Sequence, residues 1–299
     1  MAQQATPVRD ARLGRVLGGR AAGSGVNGVV LVLPGGAEVS ARRASSVALA
    51  GAWGVARRVV RGSGAWPGVG SGSASGSRSG PGSGSGSGAG AEPGSGLVAH
   101  VVRYRCRGWN GPEAGPARDA EWAVDEVVRR YGDVPVCLVG VGMGGRAALH
   151  AAGHPAVHSV VALAPWLPGG ASDAGGASDA GDEGASAREP VAEPVGQLRG
   201  RRVLIVHGTV DTRSDPELSF RLAERAKKVN GEVCRFEVHT DGHRLRQHRD
   251  EVLALVTDFV QGSLYERGFS RPVADALAAP PPLGLRMPLA AGFGRALRR

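Results

Sequence analysis

Residues 135–149 read PVCLVGVGMGGRAAL, and this stretch decides the fold. An apolar run at 135–139 leads directly into a glycine-rich turn at 140–145, and small residues follow the turn. A short run that is apolar on both faces is typical of a strand buried in a parallel sheet. Small residues after such a turn favour a helix that packs closely on the sheet. The stretch therefore predicts a buried strand that turns sharply into a helix.

Five further apolar runs predict buried strands, and amphipathic stretches lie between them. The strands are predicted at 28–33, 97–103, 159–164, 202–206 and 233–239. The helices are predicted at 44–60, 117–131, 144–152, 216–230 and 248–264. This alternation predicts an α/β fold, a three-layer, mostly parallel, doubly wound sheet in a single domain with low-complexity insertions.

Glycine and proline are concentrated in segments that cannot form a core. The chain has 49 glycines and 19 prolines among 299 residues, about twice the usual share. Much of this excess lies in a Gly/Ser-rich linker at 62–96 and in an acidic loop at 168–196. We expect these two insertions to interrupt one domain spanning 25–265. Residues 1–24 are predicted to be an N-terminal tail, and 266–299 a basic, Pro/Ala-rich tail that is mostly disordered.

The net charge of +9 invites a nucleic-acid interpretation, which the distribution of the basic residues opposes. Only Lys227 and Lys228 among the 36 basic residues are lysines, and the arginines are scattered along the chain. Aromatic residues make up 4% of the sequence, too few for a platform on which bases stack. We therefore expect no nucleic-acid partner.

The remaining composition predicts no metal, no cofactor and no membrane. Cys106, Cys137 and Cys234 are widely spaced and suggest neither a disulfide framework nor a metal site. The histidines also show no metal-binding pattern. No apolar run reaches the length of a signal peptide or of a membrane helix. These features favour a protein of the reducing cytoplasm, and they leave its oligomeric state open.

The turn Gly140-Val141-Gly142-Met143-Gly144-Gly145 resembles the nucleophile elbow, G-x-S-x-G, of the α/β-hydrolase superfamily. Two other positions support this resemblance, since Asp211 ends the HGTVD stretch after one strand and His243 ends the DGH stretch after the last. They follow the family's chain order of nucleophile, acid and histidine. The resemblance covers roughly residues 25–61 and 97–264, and is closest to small esterases. It implies catalytic roles for Asp211 and His243 on a small acyl-type substrate.

The resemblance also implies where the rest of the site lies. Gly35 and Gly36 follow an early strand, and with the backbone N–H of Met143 they are predicted to form an oxyanion hole. Trp109 and Asn110 follow the second predicted strand and so reach the same edge of the sheet. We predict that they line the pocket wall, and a packed loop is the alternative.

The position of the nucleophile departs from the family pattern, because it is Gly142. Glycine has no side chain, so an acyl-enzyme cannot form there. It also adopts freely the backbone conformation that strains other residues at an elbow. The sequence thus predicts an esterase-like hydrolase with a degenerate triad and weak or no activity. Two alternatives stay open: a non-catalytic homologue that binds a small molecule or a partner, and an enzyme in which His243, oriented by Asp211, activates water.

Each motif taken alone also has a simpler interpretation. Glycine-rich strand-to-helix turns bind phosphates in other folds, although the acidic residue that a dinucleotide site needs about 20 residues later is replaced by Ala162. Asp211 can cap the following helix, and His243 can be a surface histidine. His207, at the end of a buried strand, is predicted to be structural.

Overall fold

The computed structural model describes residues 10–19, 25–62, 96–169 and 192–295. Within these residues the chain forms nine strands and six α-helices. The strands are β1 (Arg12–Leu13), β2 (Leu17–Gly18), β3 (Gly28–Leu33), β4 (Leu97–Arg103), β5 (Val136–Val141), β6 (Val157–Leu163), β7 (Arg202–Gly208), β8 (Val233–Val238) and β9 (Met287–Pro288). The helices are α1 (Ser46–Gly62), α2 (Gly115–Tyr131), α3 (Met143–His150), α4 (Pro216–Val229), α5 (Arg249–Leu264) and α6 (Arg271–Ala278).

The strands form one sheet in the order β1-β4-β3-β5-β6-β7-β8-β9, and β2 also pairs with β4. Strands β3 to β9 run parallel, while β1 and β2 pair with β4 in the antiparallel sense. The chain passes from β3 outward to β4 and then returns to β5 on the other side of β3. Ligands of open α/β sheets bind beyond the carboxyl ends of the strands at such a switch point. The topology therefore marks the ends of β3 and β5 as the place to look for a site.

Helices cover both faces of the sheet because its strands are apolar on both sides. In β3, Val29, Leu31 and Leu33 belong to the core layer that includes residues of α2, α3 and α4, whereas Val30 and Val32 belong to the layer that includes residues of α1, α5 and α6. All six residues of β3 are buried. These two packed layers make the predicted three-layer, doubly wound α/β fold, and the six predicted strands and five predicted helices are all present.

The C-terminal segment was predicted to be mostly disordered, and for the described residues 266–295 this is wrong. Helix α6 buries Val273 and Ala276 against the sheet, and β9 pairs with β8. Arg235 of β8, which is 1% exposed, donates to the carbonyl of Leu285 at 2.9 Å. The Pro/Ala-rich composition concealed a small set of apolar residues at spacings that let them reach the core.

The N-terminal boundary also needs correction, because part of the predicted tail belongs to the sheet. Residues 12–13 and 17–18 pair with β4, and the backbone N–H of Gly14 donates to Val101 at 2.8 Å. Strands of two residues carry too little pattern to be predicted from sequence. The sheet thus extends beyond the predicted limits of 25–265 at both ends.

The two predicted insertions lie mainly outside the described residues. Helix α1 ends at Gly62 and β4 begins at Leu97, so 63–95 are not described, and neither are 170–191. The last residues of the predicted acidic loop are described, and Glu193 is buried against Arg146 at 2.6 Å. In the part of the chain that the structure describes, no helix is long and apolar enough to cross a membrane.

Candidate active site

Gly142 forms the sharp turn between β5 and α3. Its backbone has φ 55° and ψ −118°, a conformation that residues with a side chain rarely adopt and that is common at functional turns. Two backbone hydrogen bonds to the segment at the end of β6 hold the turn. The N–H of Gly142 donates to the carbonyl of Leu163 at 2.9 Å, and its carbonyl accepts from the N–H of Trp166 at 3.1 Å. Gly142 therefore forms a sharp strand-to-helix turn in a left-handed backbone conformation and carries no nucleophilic side chain.

The glycines flanking Gly142 allow the backbone to fold tightly on itself. A side chain on Gly140 would overlap the backbone of Gly144, and one on Gly144 would overlap the carbonyls of Leu33 and Pro34. Gly145 is less restricted, because an added methyl group would lie 3.2 Å from Pro165. Gly140 and Gly144 are thus required for strand β5, helix α3 and the end of β3 to approach one another.

The structure brings His243 and Asp211 to this turn from two other loops. Asp211 follows β7, His243 follows β8, and His243 Nδ1 lies 2.9 Å from Asp211 Oδ2. Because the carboxylate accepts, Nδ1 carries the proton and Nε2 is left as the basic nitrogen. A methyl group added to Gly142 would lie 3.4 Å from that Nε2. The three predicted triad positions therefore adjoin one another in the order nucleophile position, histidine and acid.

Asp211 has a fully buried side chain and is held as an anion by several donors. Burial by itself would raise its pKa, but hydrogen bonds from His207, His243 and the N–H of Arg213 outweigh burial and hold the pKa well below its usual value. Its Oδ1 also accepts from the N–H of Ser214 at 3.1 Å. The carboxylate is therefore fixed in position and stays charged at neutral pH.

His207 is a positioning residue whose contacts the sequence did not reveal. It is fully buried, and its Nε2 lies 3.2 Å from Asp211 Oδ2 and 3.1 Å from the carbonyl of Ser214. Its Nδ1 lies 2.9 Å from Ser219 Oγ in α4. The prediction that His207 is structural agrees with this burial, and the four-residue spacing from Asp211 was the available signal for the contact.

We expect Asp211→Asn to destabilise the protein by about 2 kcal/mol at pH 7, since an amide cannot accept from all of these donors. The folded-state pKa is depressed, so the stabilisation by Asp211 is complete above the usual pKa of 3.8 and is lost as the pH falls. The difference in free energy of unfolding between wild type and Asp211→Asn should therefore shrink between pH 5 and pH 2.5, as measured by urea denaturation.

Asp215→Asn provides a matched control for this measurement. Asp215 is exposed and caps α4 by accepting from the N–H of Glu217 at 2.9 Å, a role that asparagine fills almost as well. We expect a change below about 0.5 kcal/mol at every pH. A stability loss in Asp211→Asn that is equally large at pH 2.5 would contradict the assigned role of the charge.

The predicted oxyanion residues lie beside the turn. Gly35 and Gly36 follow β3, and a methyl group on Gly36 would lie 3.1 Å from Met143 Cβ. Met143 is the first residue of α3, so its N–H has no partner within the helix and stands at the positive end of the helix dipole. Gly35, Gly36 and Met143 line the same cavity as Gly142.

A cavity of about 960 Å³ opens over Gly142 and His243. Its inner wall is apolar and comes from both the sheet and the helices α1 and α5. The apolar lining includes Val55, Val141, Leu163, Leu245, Val252 and Leu253. Trp166, which the sequence analysis did not single out, also lines it. A cavity of this volume accommodates a small organic ligand.

Trp109 and Asn110 do not line this cavity, so the prediction for the pocket wall is wrong. Trp109 is 5% exposed because the guanidinium group of Arg146 stacks on its ring at 3.9 Å and His150 packs at its edge. Asn110 has φ 59° and accepts from the N–H of Ser40 at 2.9 Å. The packed loop, the alternative interpretation, is what these contacts describe.

The described residues contain no cluster of three His, Cys, Asp or Glu side chains that is arranged to hold a metal ion. Cys137 and Cys234 are buried in strands, and burial raises the pKa of the Cys137 thiol to about 12. Neither cysteine lines the cavity.

Comparison with known proteins identifies the fold. The esterase Pf2001 of Pyrococcus furiosus matches in two crystal forms at 14% and 15% identity, with TM-scores of 0.52 and 0.54; each match covers 80% of this chain and 82% or 84% of that one. The esterase PE8 matches at 13% identity and a TM-score of 0.51, over 85% of this chain and 100% of that one. No protein-family model and no curated protein matches the sequence. The chain has the α/β-hydrolase fold.

Proposed function

We propose that this chain, which has the α/β-hydrolase fold, binds a small acyl-type molecule in the cavity over Gly142 and forms no acyl-enzyme with it. The observation that carries the proposal is the glycine at the turn, which faces His243 Nε2 at the base of the cavity. The cavity is also lined by Gly35, Gly36 and Met143, and Asp211 is paired with His243. A site of this kind keeps the means to hold an ester or a carboxylic acid but lacks the atom that would attack it.

The hydroxyl groups of the cavity are not paired with His243. Ser45 and Thr212 line the cavity, and Ser45 Oγ accepts from the N–H of Ala48 at the start of α1. Among the described residues, no hydroxyl or thiol group is hydrogen-bonded to His243 Nε2. We therefore assign His243 and Asp211 to binding and polarisation of the ligand rather than to activation of a nucleophile.

Water activation by His243 is the second candidate, and one observation favours it. His243 Nδ1 is held by Asp211 while Nε2 points to the space left by the missing side chain, where a water molecule is a possible proton donor to the imidazole. This function would give ester hydrolysis without a covalent intermediate. Residual catalysis by backbone oxyanion donors reaches about 10³–10⁴ over water in a serine protease that has lost its triad.

The test is to treat the natural protein with a fluorophosphonate and with p-nitrophenyl butyrate, and to measure both its intact mass and ester turnover. We expect no adduct and no turnover above that of His243→Ala. If the natural protein hydrolyses the ester without forming an adduct, and His243→Ala abolishes this hydrolysis, water activation is favoured. A covalent adduct that depends on His243 would overturn the proposal. Cytoplasmic location and the absence of a nucleic-acid partner stay predictions.

A further inference from the structure

We infer that the ligand of this cavity carries an anionic head group, a carboxylate or a phosphate, on an apolar body. This inference rests on the proposed function, because it names the chemical class of the ligand at the same site. The observation behind it is the charge of the cavity lining. Five arginines line the cavity, and Glu38 is the one acidic residue among the lining residues that the structure describes. The arginines are Arg107, Arg213, Arg244, Arg246 and Arg249.

The arginines come together because of the sheet topology. Arg107 follows β4, Arg213 follows β7, and Arg244 and Arg246 follow β8, so that all of these loops lie at the carboxyl edge of the sheet. Arg249 is the first residue of α5, and its guanidinium group lies over Gly54 of α1. Residues that are scattered in the sequence are thus assembled around one opening.

The guanidinium groups are not neutralised by Asp211 and Asp241, the buried carboxylates of the loops after β7 and β8. Asp211 accepts from two histidines and two backbone N–H groups. Asp241 is buried and accepts from the N–H groups of Gly242, Arg246 and His248. Within the described ranges, none of the five lining arginines forms an ion pair with an acidic side chain. Apart from Arg107 Nε, which donates to Ser40 Oγ at 3.3 Å, their side-chain donors are open to a ligand.

Two surfaces of the cavity together indicate the chemistry of the ligand: the apolar inner wall, and the five lining arginines, which we call the basic rim. Leu163, Val252 and Leu253 offer a surface that excludes water, and low-dielectric walls concentrate the field of charges at the opening. Guanidinium groups bind carboxylates and phosphates through paired N–H donors. An acyl or alkyl chain would lie on the inner wall while its anionic end meets the arginines. A neutral ester would use only the first of these two surfaces.

Isothermal titration calorimetry with probes of equal chain length separates the contribution of the apolar wall to the binding affinity from that of the arginines. We would titrate the natural protein with octanoate, octyl phosphate and 1-octanol at low and at high salt. We expect octanoate or octyl phosphate to bind at least about tenfold more tightly than 1-octanol. This ratio of affinities should decrease as salt is added. Whichever anion binds more tightly identifies the head group.

Variants place the effect at the rim. Arg244 and Arg246 are exposed, so Arg244→Gln/Arg246→Gln should fold normally and weaken anion binding about tenfold while changing 1-octanol affinity less than about twofold. The matched control is Arg118→Gln/Arg199→Gln, which removes the same charge at exposed positions outside the cavity. It should leave the affinities for both probes within about twofold.

The outcomes distinguish this inference from the proposed function. Equal affinity for 1-octanol and octanoate would overturn the inference and leave the proposed binding site intact. Failure of every probe to bind would count against the binding site as well. Binding to phosphatidylglycerol vesicles without saturable binding of octanoate would replace the inference with a membrane-surface role for the same arginines. An equal loss of anion affinity in the control pair would show that net charge, and not this rim, is responsible.

Discussion

Replacing Gly142 by serine is expected to give this protein covalent esterase activity at position 142. Gly142→Ser should be labelled by a fluorophosphonate and should hydrolyse p-nitrophenyl butyrate about 10²–10⁴-fold faster than the natural protein, the range that a positioned base contributes. The label should be on Ser at position 142. Adding His243→Ala to Gly142→Ser should remove both properties.

The geometry of the turn supplies the reason. The backbone at Gly142 already has φ 55° and ψ −118°, and a Cβ placed there is 3.4 Å from His243 Nε2. One more bond brings a hydroxyl oxygen within hydrogen-bonding reach of that nitrogen. Asp211 fixes the opposite side of the imidazole at 2.9 Å. Gly35, Gly36 and Met143 line the same cavity, and we predict that their backbone N–H groups stabilise the developing oxyanion.

Gly142→Ser should also lower the free energy of unfolding, and Gly142→Ala is the control for this effect. A side chain at positive φ is strained by about 1–3 kcal/mol relative to glycine. Gly142→Ala has the same strain and the same added carbon but no hydroxyl group. We expect Gly142→Ser and Gly142→Ala to be destabilised by similar amounts in urea denaturation, whereas only the serine variant gains activity.

The contradicting result is a folded Gly142→Ser that neither reacts with the fluorophosphonate nor gains esterase activity. It would mean that His243, Asp211 or the oxyanion donors do not act as their positions suggest. Gain of activity in Gly142→Ala would equally oppose the mechanism, because it would assign catalysis to a group other than the hydroxyl.

The repeating elements of the fold were predictable because their sequence signals are local. Strand β3 was predicted at its observed limits of 28–33, and α4 begins at Pro216 after the capping residue Asp215, as the sequence indicated. The order of Gly142, Asp211 and His243 could also be predicted from the sequence, because each residue follows a predicted strand. Their mutual distances follow from the parallel sheet, which brings the carboxyl ends of β5, β7 and β8 to one edge.

The features that the sequence did not reveal depend on contacts between distant segments. Trp109 follows β4 as a pocket residue would, but Arg146 of α3 stacks on its ring and makes it part of the core. The Pro/Ala-rich C-terminal segment joins the sheet through the pairing of β9 with β8, and Arg235 donates to the carbonyl of Leu285. Neither partner is near in sequence. The grouping of the cavity arginines was hidden for the same reason, since arginine is common throughout the chain.

A second large effect is expected at the glycine that precedes the turn, where Gly140→Ala should destabilise the protein by about 3 kcal/mol or more. The added methyl group would overlap the carbonyl group of Gly144 and the N–H of Gly145. These are backbone atoms at the start of α3 and cannot rotate away, as a flexible side chain can. Relief requires α3 to move off β5, to which it is packed by Ala147 and Ala148.

Two other glycine substitutions serve as comparisons for the expected loss of stability. Gly145→Ala places a methyl group 3.2 Å from Pro165, a contact that a small shift relieves, so we expect a smaller loss than at Gly140. Gly51→Ala lies inside α1 with no atom within 4 Å of the added carbon. It should stabilise the protein by about 0.5–1 kcal/mol, because alanine favours a helix over glycine.

Urea denaturation should therefore rank Gly51→Ala above the natural protein, followed by Gly145→Ala and then Gly140→Ala. If Gly140→Ala yields no folded protein, the order of the other two variants still tests the argument. A loss below about 1 kcal/mol for Gly140→Ala would contradict it. If the ranking holds, the glycines that flank the turn are required by the packing of α3 on β5 whether or not a nucleophile stands between them. The elbow sequence would then be a signature of the fold, and position 142 alone would decide whether covalent chemistry accompanies it.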